Sequence, residues 1–324
     1  MVMNKLNHIL LSALLSISGA SIAGDQVPIR IGVQAAGTSG WELSVLEHDP
    51  QKAARGFTVE TQPLANAEAG KIALQSGAVD MIVSDWIWVS RMRASGAGLT
   101  FYPYSTTSGA LIVPGNSPIK SIADLRGKRL GIAGGELDKN WLLLKALAKK
   151  EGIDLEASVE KVFGAPPLID EQLKLGRIDA ALNYWHFAAR LEVQGYRQII
   201  DGKGILQGLG VTDPVANIGY VFKQGWANAH KQAVNDFLRA AEDAKKQLCS
   251  EDRAWRNVIP MLKANDQATQ DKLRQRYCSG IVQAGGKAGQ QAAERIYRLL
   301  RELSGNRLTG EAAALQPGTF WTLD

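Results

Sequence analysis

Apolar positions along the chain fall into short blocks that switch between strand-like and helix-like spacing. Residues 29–33 form a brief aliphatic run that predicts a buried strand, and residues 42–53 carry apolar side chains at helical spacing. A second strand is predicted over 58–62, a second helix over 68–75 and a third strand over 81–83. The same order returns downstream, with strands over 129–133, 159–163 and 180–182 and helices over 139–150 and 169–175. Such alternation predicts parallel sheets covered by helices on both faces. Ligands of such sheets sit where the loops open, at the carboxyl ends of the strands.

The two series are copies of one another. A shift of 99 residues lays Arg30-Ile31-Gly32-Val33 on Arg129-Leu130-Gly131-Ile132. The same shift lays Leu74-Gln75-Ser76-Gly77-Ala78-Val79-Asp80 on Leu173-Lys174-Leu175-Gly176-Arg177-Ile178-Asp179, and Trp86 on Trp185. This spacing is too long for a solenoid and predicts two similar lobes. A crossover strand is expected over 110–113 and a further strand over 217–222, followed by amphipathic helices over 229–248, 252–263, 268–277 and 288–304. Most of this tail is expected on the first lobe, which makes that lobe discontinuous: 24–113 with 211–324, and 114–210 for the second. Glycine and proline place the hinges at Pro114-Gly115 and in the stretch from Gly202 to Gly210. The fold class is α/β and two-lobed, each lobe a mostly parallel sheet flanked by helices.

The first 23 residues change the picture, because they read as an export signal. Lys5 precedes a short apolar run over 9–17, and Ser21 and Ala23 stand at −3 and −1 of a cleavage site near Gly24. With no cysteine at that site to carry a lipid, a freely diffusing periplasmic protein is expected. Removing the segment takes one lysine and no acid, so the net charge of +5 becomes +4, spread without a basic block. Nucleic acid is therefore a poor partner. In an oxidising compartment the only cysteines, Cys249 and Cys278, most simply form one disulfide; two buried free thiols are the alternative.

The segment Asp124-Leu125-Arg126-Gly127-Lys128-Arg129-Leu130-Gly131-Ile132 resembles the periplasmic binding proteins of nitrate, sulfonate and taurine ABC transporters, a superfamily that also includes binders of thiamine-pyrimidine precursors. Gln75 to Asp80, Gly176 to Ala180 and the closing Leu315-Gln316-Pro317-Gly318-Thr319-Phe320-Trp321 are similar to that family too. The resemblance implies a type II periplasmic-binding-protein fold, a monomer that closes about a hinge, no cofactor, and a permease in the inner membrane as partner. It names no ligand. Eukaryotic thiamine-precursor enzymes of this kind carry a cysteine-rich segment; with two late cysteines this chain lacks one, which argues against suicidal pyrimidine synthesis.

Four strand-end loops supply the candidate ligand site. In the first, Thr38, Ser39, Gly40 and Trp41 open a helix whose amides favour acceptors. Glu136 and Asn140 come from the equivalent loop of the second copy, where Asp138 reads as an N-cap. The repeat-related pair is Ser84-Asp85-Trp86 and Asn183-Tyr184-Trp185-His186, with Trp86 and Trp185 expected to face each other as an aromatic clamp. Thr107 and Ser108 add hydroxyls. The acidic residues and aromatics of these loops tilt the expectation toward a neutral or cationic, partly flat organic molecule.

Competing chemistry finds little support. The four histidines include no pair at metal spacing, and neither Gly-x-Ser-x-Gly nor a phosphate loop occurs. The expected function is capture of a small organic molecule or anion for an importer, without catalysis. Two rivals stand beside it: an accessory or sensory receptor for an oxidoreductase system, and an enzyme on the same scaffold using Asp85 or His186.

Overall fold

The computed structural model describes residues 26–35, 37–282 and 287–323, so the expected signal segment lies outside the described residues. The first series runs β1 (Val27–Gln34), α1 (Ser39–Glu47), β2 (Phe57–Leu64), α2 (Ala67–Ser76), β3 (Met81–Ser84), α3 (Trp86–Ala94) and β4 (Leu99–Ser105). The second runs β5 (Ala110–Val113), β6 (Arg129–Ala133), α4 (Lys139–Lys150), α5 (Leu155–Ser158), β7 (Glu160–Gly164), α6 (Pro166–Lys174), β8 (Ala180–Asn183), α7 (Trp185–Val193), β9 (Arg197–Asp201) and α8 (Gly202–Gly208). The chain then gives β10 (Ile218–Lys223), α9 (Gln224–Ala229), α10 (Lys231–Ser250), α11 (Asp252–Leu262), α12 (Gln267–Cys278) and α13 (Lys287–Ser304).

Two five-stranded sheets result, ordered β2-β1-β3-β10-β4 and β7-β6-β8-β5-β9. In each, a central parallel strand is flanked by two others, β1 by β2 and β3, and β6 by β7 and β8. The fourth slot of each sheet holds an antiparallel strand, and in the first sheet that strand, β10, returns only after all five strands of the second sheet. β10 runs antiparallel between β3 and β4, and β5 runs antiparallel between β8 and β9. This mixed α/β architecture is the two-lobed one expected from the alternation.

The repeat is built in atoms as well as letters. Arg30 grips Asp80 through Nε and Nη2 at 2.9 and 2.6 Å, and Arg129 grips Asp179 at 3.2 and 2.9 Å. Each aspartate also accepts the backbone N–H of its arginine, joining the entry of the first strand to the entry of the third. Gly77 and Gly176, three residues before these aspartates, end α2 and follow α6 at φ of 81° and 66°, a left-handed turn that glycine adopts without a Cβ penalty.

Three expectations are corrected. The strand over 110–113 pairs with β8 and β9, so it belongs to the second sheet and not to lobe 1. Pro114-Gly115 therefore follows a strand already inside lobe 2, where Gly115 abuts the Gly195 carbonyl. Gly202 to Gly208 is helix, capped by Asp201 and packed on α4, so that stretch is no linker either. The chain passes between the sheets at 106–109 and again at 209–217. Finally, the tail is shared. α10 and α11 pack on α1, whereas α12 lies along α7 and α13 against α4, both helices of the second lobe. Cys249 on α10 is bonded to Cys278 on α12, with Cα atoms 5.6 Å apart.

Candidate ligand cleft

The two sheets face each other across a cleft of about 730 Å³. Five helix N-termini border it, α1, α2 and α3 from lobe 1 and α4 and α7 from lobe 2, because in both series α-helices follow the carboxyl ends of strands. α2 is capped by Asn66, whose Oδ1 accepts the Ala69 N–H at 2.9 Å. Two more are closed by their own carboxylates. Asp85 Oδ1 accepts the Trp88 N–H at 2.9 Å at the head of α3, and Asp138 Oδ1 accepts the Trp141 N–H at 3.0 Å at the head of α4. The other two, α1 behind Thr38 and α7 behind Tyr184, carry no side-chain cap. An uncapped helix start presents N–H groups and the positive end of the helix dipole.

Thr38, Ser39, Ser84, Asp85, Trp86, Thr107, Ser108, Asn140, Tyr184, Trp185 and His186 all line the cleft. Four expected residues do not. Gly40 and Trp41 face a second groove behind the loop, and Trp41 is buried against Trp255 and Tyr277. Asn183 is fully buried, its Oδ1 accepting the Tyr184 N–H and its Nδ2 donating to the Pro166 carbonyl. Glu136 points outward and pairs with Arg307 at 3.3 Å.

The clamp of Trp86 against Trp185 is overturned. Trp86 is 2% exposed, its indole N–H donates to the Ala216 carbonyl at 2.9 Å, and Phe320 lies 6.2 Å away. The C-terminal segment covers this ring in lobe 1, and its repeat mate has no such cover. Trp185 instead stands edge-on to Trp41, centroids 6.2 Å apart, and lies 6.4 Å from the Tyr277 ring of α12, so its aromatic partners are Trp41 and Tyr277 and not Trp86.

The charges also differ from those expected. The lining includes Lys71, Arg91, Lys139 and Arg307 against Glu68, Asp85 and Asp138. Lys139 of lobe 2 meets Asp85 of lobe 1 at 3.2 Å. Burial would raise the Asp85 carboxyl, but Lys139, the Trp88 amide and Lys71 outweigh it and hold it below the ordinary value. Burial prevails at Asp138, which is pushed up to about 6. Lys71 sits over the Trp88 ring at 5.5 Å. Sequence reasoning missed Lys71, which projects from mid-α2, and Arg91 and Arg307, which lie in no repeat-matched loop. Among the described residues no cluster of His, Cys, Asp and Glu could hold a metal.

Residues 53–252, more than half of the chain, match the family model described as NMT1/THI5 like. The chain belongs to the NMT1/THI5-like family. This NMT1/THI5-like chain is 26% identical over 211 residues to a putative aliphatic sulfonates-binding protein of Escherichia coli, an alignment covering 63% of the chain and 65% of that protein's length. Its fold is shared with the alkanesulfonate-binding protein of Xanthomonas axonopodis pv. citri bound to MOPS, at a TM-score of 0.70 and 18% identity, covering 92% of this chain and 99% of that one. The periplasmic aliphatic sulphonate binding protein of Escherichia coli gives a TM-score of 0.72 at 16% identity, covering 92% and 98%.

Proposed function

We propose that this protein is the periplasmic solute-binding component of an ABC importer, catalyses nothing, and delivers a small organic anion to a membrane permease. The observation that carries this reading is the pair of uncapped helix N-termini, α1 from lobe 1 and α7 from lobe 2, on opposite walls of one cleft. Free N–H groups at helix starts favour anionic, acceptor-rich groups. Basic side chains of the lining are largely paired with carboxylates, Lys71 with Glu68, Lys139 with Asp85 and Arg307 with Glu136. The helix starts, and not the side-chain charges, therefore favour an anion over the neutral or cationic ligand expected from the loops alone. The aliphatic sulfonate named for the Escherichia coli relative, and the MOPS bound in the Xanthomonas structure, fit that chemistry. The Trp185 and Tyr184 faces suit an apolar tail attached to the anion.

A thermal-shift and calorimetric panel of ethanesulfonate, MOPS, nitrate, alkylamines and heterocyclic cations tests this. A ligand held only by the folded state stabilises by about 2.7 kcal/mol at a hundredfold excess over its Kd. Sulfonates are expected to raise the melting temperature, and amines to leave it unchanged. Stabilisation by amines alone would sink the anion reading, and a ligand returned chemically altered would sink the non-enzymatic one.

A further inference from the structure

Glu42, in the first turns of α1, is fully buried and lies outside the ligand cleft. Three elements converge on its carboxylate. Tyr104 at the end of β4 donates its hydroxyl to Oε2 at 2.8 Å, and Tyr277 of α12 donates to Oε1. Lys245 of α10 stands 3.6 Å from Oε1, donates to the Tyr104 carbonyl at 2.6 Å and lies 3.7 Å above the Tyr104 ring. Burial raises the Glu42 carboxyl and lowers the Lys245 ammonium, each opposed by the other's charge. A buried ion pair of this kind is seldom more stabilising than well-packed apolar side chains. Its use lies in what it fixes in place.

The fixed parts are those the cleft depends on. α1 offers its uncapped start to the cleft, and the Tyr104 hydroxyl also meets the Thr38 side chain there. β4 ends where the chain leaves lobe 1. Asn217, on the returning segment, donates its backbone N–H to Ser105 O at 2.8 Å and its side chain to Thr106 O at 2.6 Å. Gly280, just beyond α12, accepts the Thr106 N–H at 3.0 Å. On its other face α12 holds lobe 2: Arg276 and Lys272 both pair with Glu192 of α7, and Arg276 reaches Gln198 at 3.0 Å. One carboxylate thus links the α1 start directly and reaches α7 through α12, which holds the last turn of α7 at Glu192 and sets the Tyr277 ring 6.4 Å from Trp185, the first residue of α7.

We infer that Glu42 is a positioning residue, setting the separation between the α1 and α7 N-termini and thereby the affinity for the ligand. The inference rests on the ligand reading above for its effect on binding, but not for its effect on lobe spacing. Tyr277→Phe cuts the tie to α12 while Tyr104 and Lys245 still hold Glu42, and Glu42→Gln removes the charge with little change of shape. Tyr220→Phe is the matched control, because the Tyr220 hydroxyl is buried close by and has no hydrogen-bond partner. The probe is ethanesulfonate, and lobe spacing is read by electron-spin distances between labels at Ile72→Cys and Leu175→Cys, both exposed and on opposite lobes.

Tyr277→Phe and Glu42→Gln are each expected to raise the ethanesulfonate Kd about tenfold and to broaden the distance distribution, with Tyr220→Phe matching wild type in both. Wild-type distances together with a Kd within twofold in both variants would overturn the inference. Should the wild-type protein itself not bind ethanesulfonate, the ligand reading fails alone. The ligand-free distance distributions then decide the positioning role by themselves.

Discussion

Asp138 shows how a single side chain can serve local structure at a cost to the whole. Its carboxylate caps α4, yet burial pushes its value up to about 6 from the ordinary 3.8. A group whose folded-state value is raised holds its proton more tightly when folded. The ionised form therefore weakens the fold above pH 6, and that cost disappears as pH falls toward 4. Asn also caps helices well. Asp138→Asn is accordingly expected to melt at a higher temperature at pH 7.5, with the gain shrinking below pH 6. Melting curves across pH 4–8 check this, and a variant less stable at pH 7.5 contradicts it. The two tryptophans of the repeat separate in the same way. Trp86→Ala removes a buried ring and its hydrogen bond, a change costing about 3–5 kcal/mol, with ligand affinity largely retained in whatever folds. Trp185→Ala, at a ring only partly buried in the cleft wall, is expected to weaken ligand binding at least tenfold for a smaller loss of stability. The loops bearing these residues were readable from the sequence, because strand-end position follows from the alternation. Which ring faces the ligand was not, since that depends on Phe320, more than two hundred residues away from Trp86.

At the scale of elements, β6 and α4 match their expected bounds to the residue: aliphatic runs of the right length are bracketed by Gly127 and by Asp138 as N-cap. Two strands, β4 and β9, escaped the sequence reading. Both are edge strands, and β4 contains Pro103, which a central strand would not tolerate but an edge can. The helices α3 and α7 also escaped the sequence reading: only their first residues, Trp86 and Trp185-His186, were assigned, to strand-end loops, and the apolar faces that follow are short. The tail helices were legible from their amphipathic spacing, but not their partners, since an apolar stripe does not say which lobe it covers. The disulfide joins two of them across 29 residues of chain. Closing a loop of that length stabilises by about 3–4 kcal/mol through the unfolded state. Replacing both cysteines by serine should lower the urea midpoint accordingly, with alkylation followed by intact-mass analysis confirming that the native thiols are blocked. Two alkylated cysteines in unreduced native protein would remove the basis for this expectation.

For the molecule as a whole, the crossings at 106–109 and 209–217 make the natural pivots, and α12 and α13 reach across beside them. Ligand is expected to compact the protein about those segments. Small-angle scattering under saturating sulfonate should give a smaller radius of gyration, and an unchanged value would point to a site served by one lobe. The late return of β10 to the first sheet also governs the order in which the sheets can be completed. Every strand of the second sheet comes from one continuous stretch, ending with β9 at Asp201, whereas the first sheet lacks a strand next to its centre until β10 at Ile218–Lys223. As the chain emerges from its N-terminus, β3 and β4 must wait with unpaired edges, a state open to wrong pairing, while the later-made lobe can already close. Pulse-labelled hydrogen exchange during refolding should accordingly protect the amides of β6 and β8 before those of β1 and β3. The lobe that is made first is the one that assembles last.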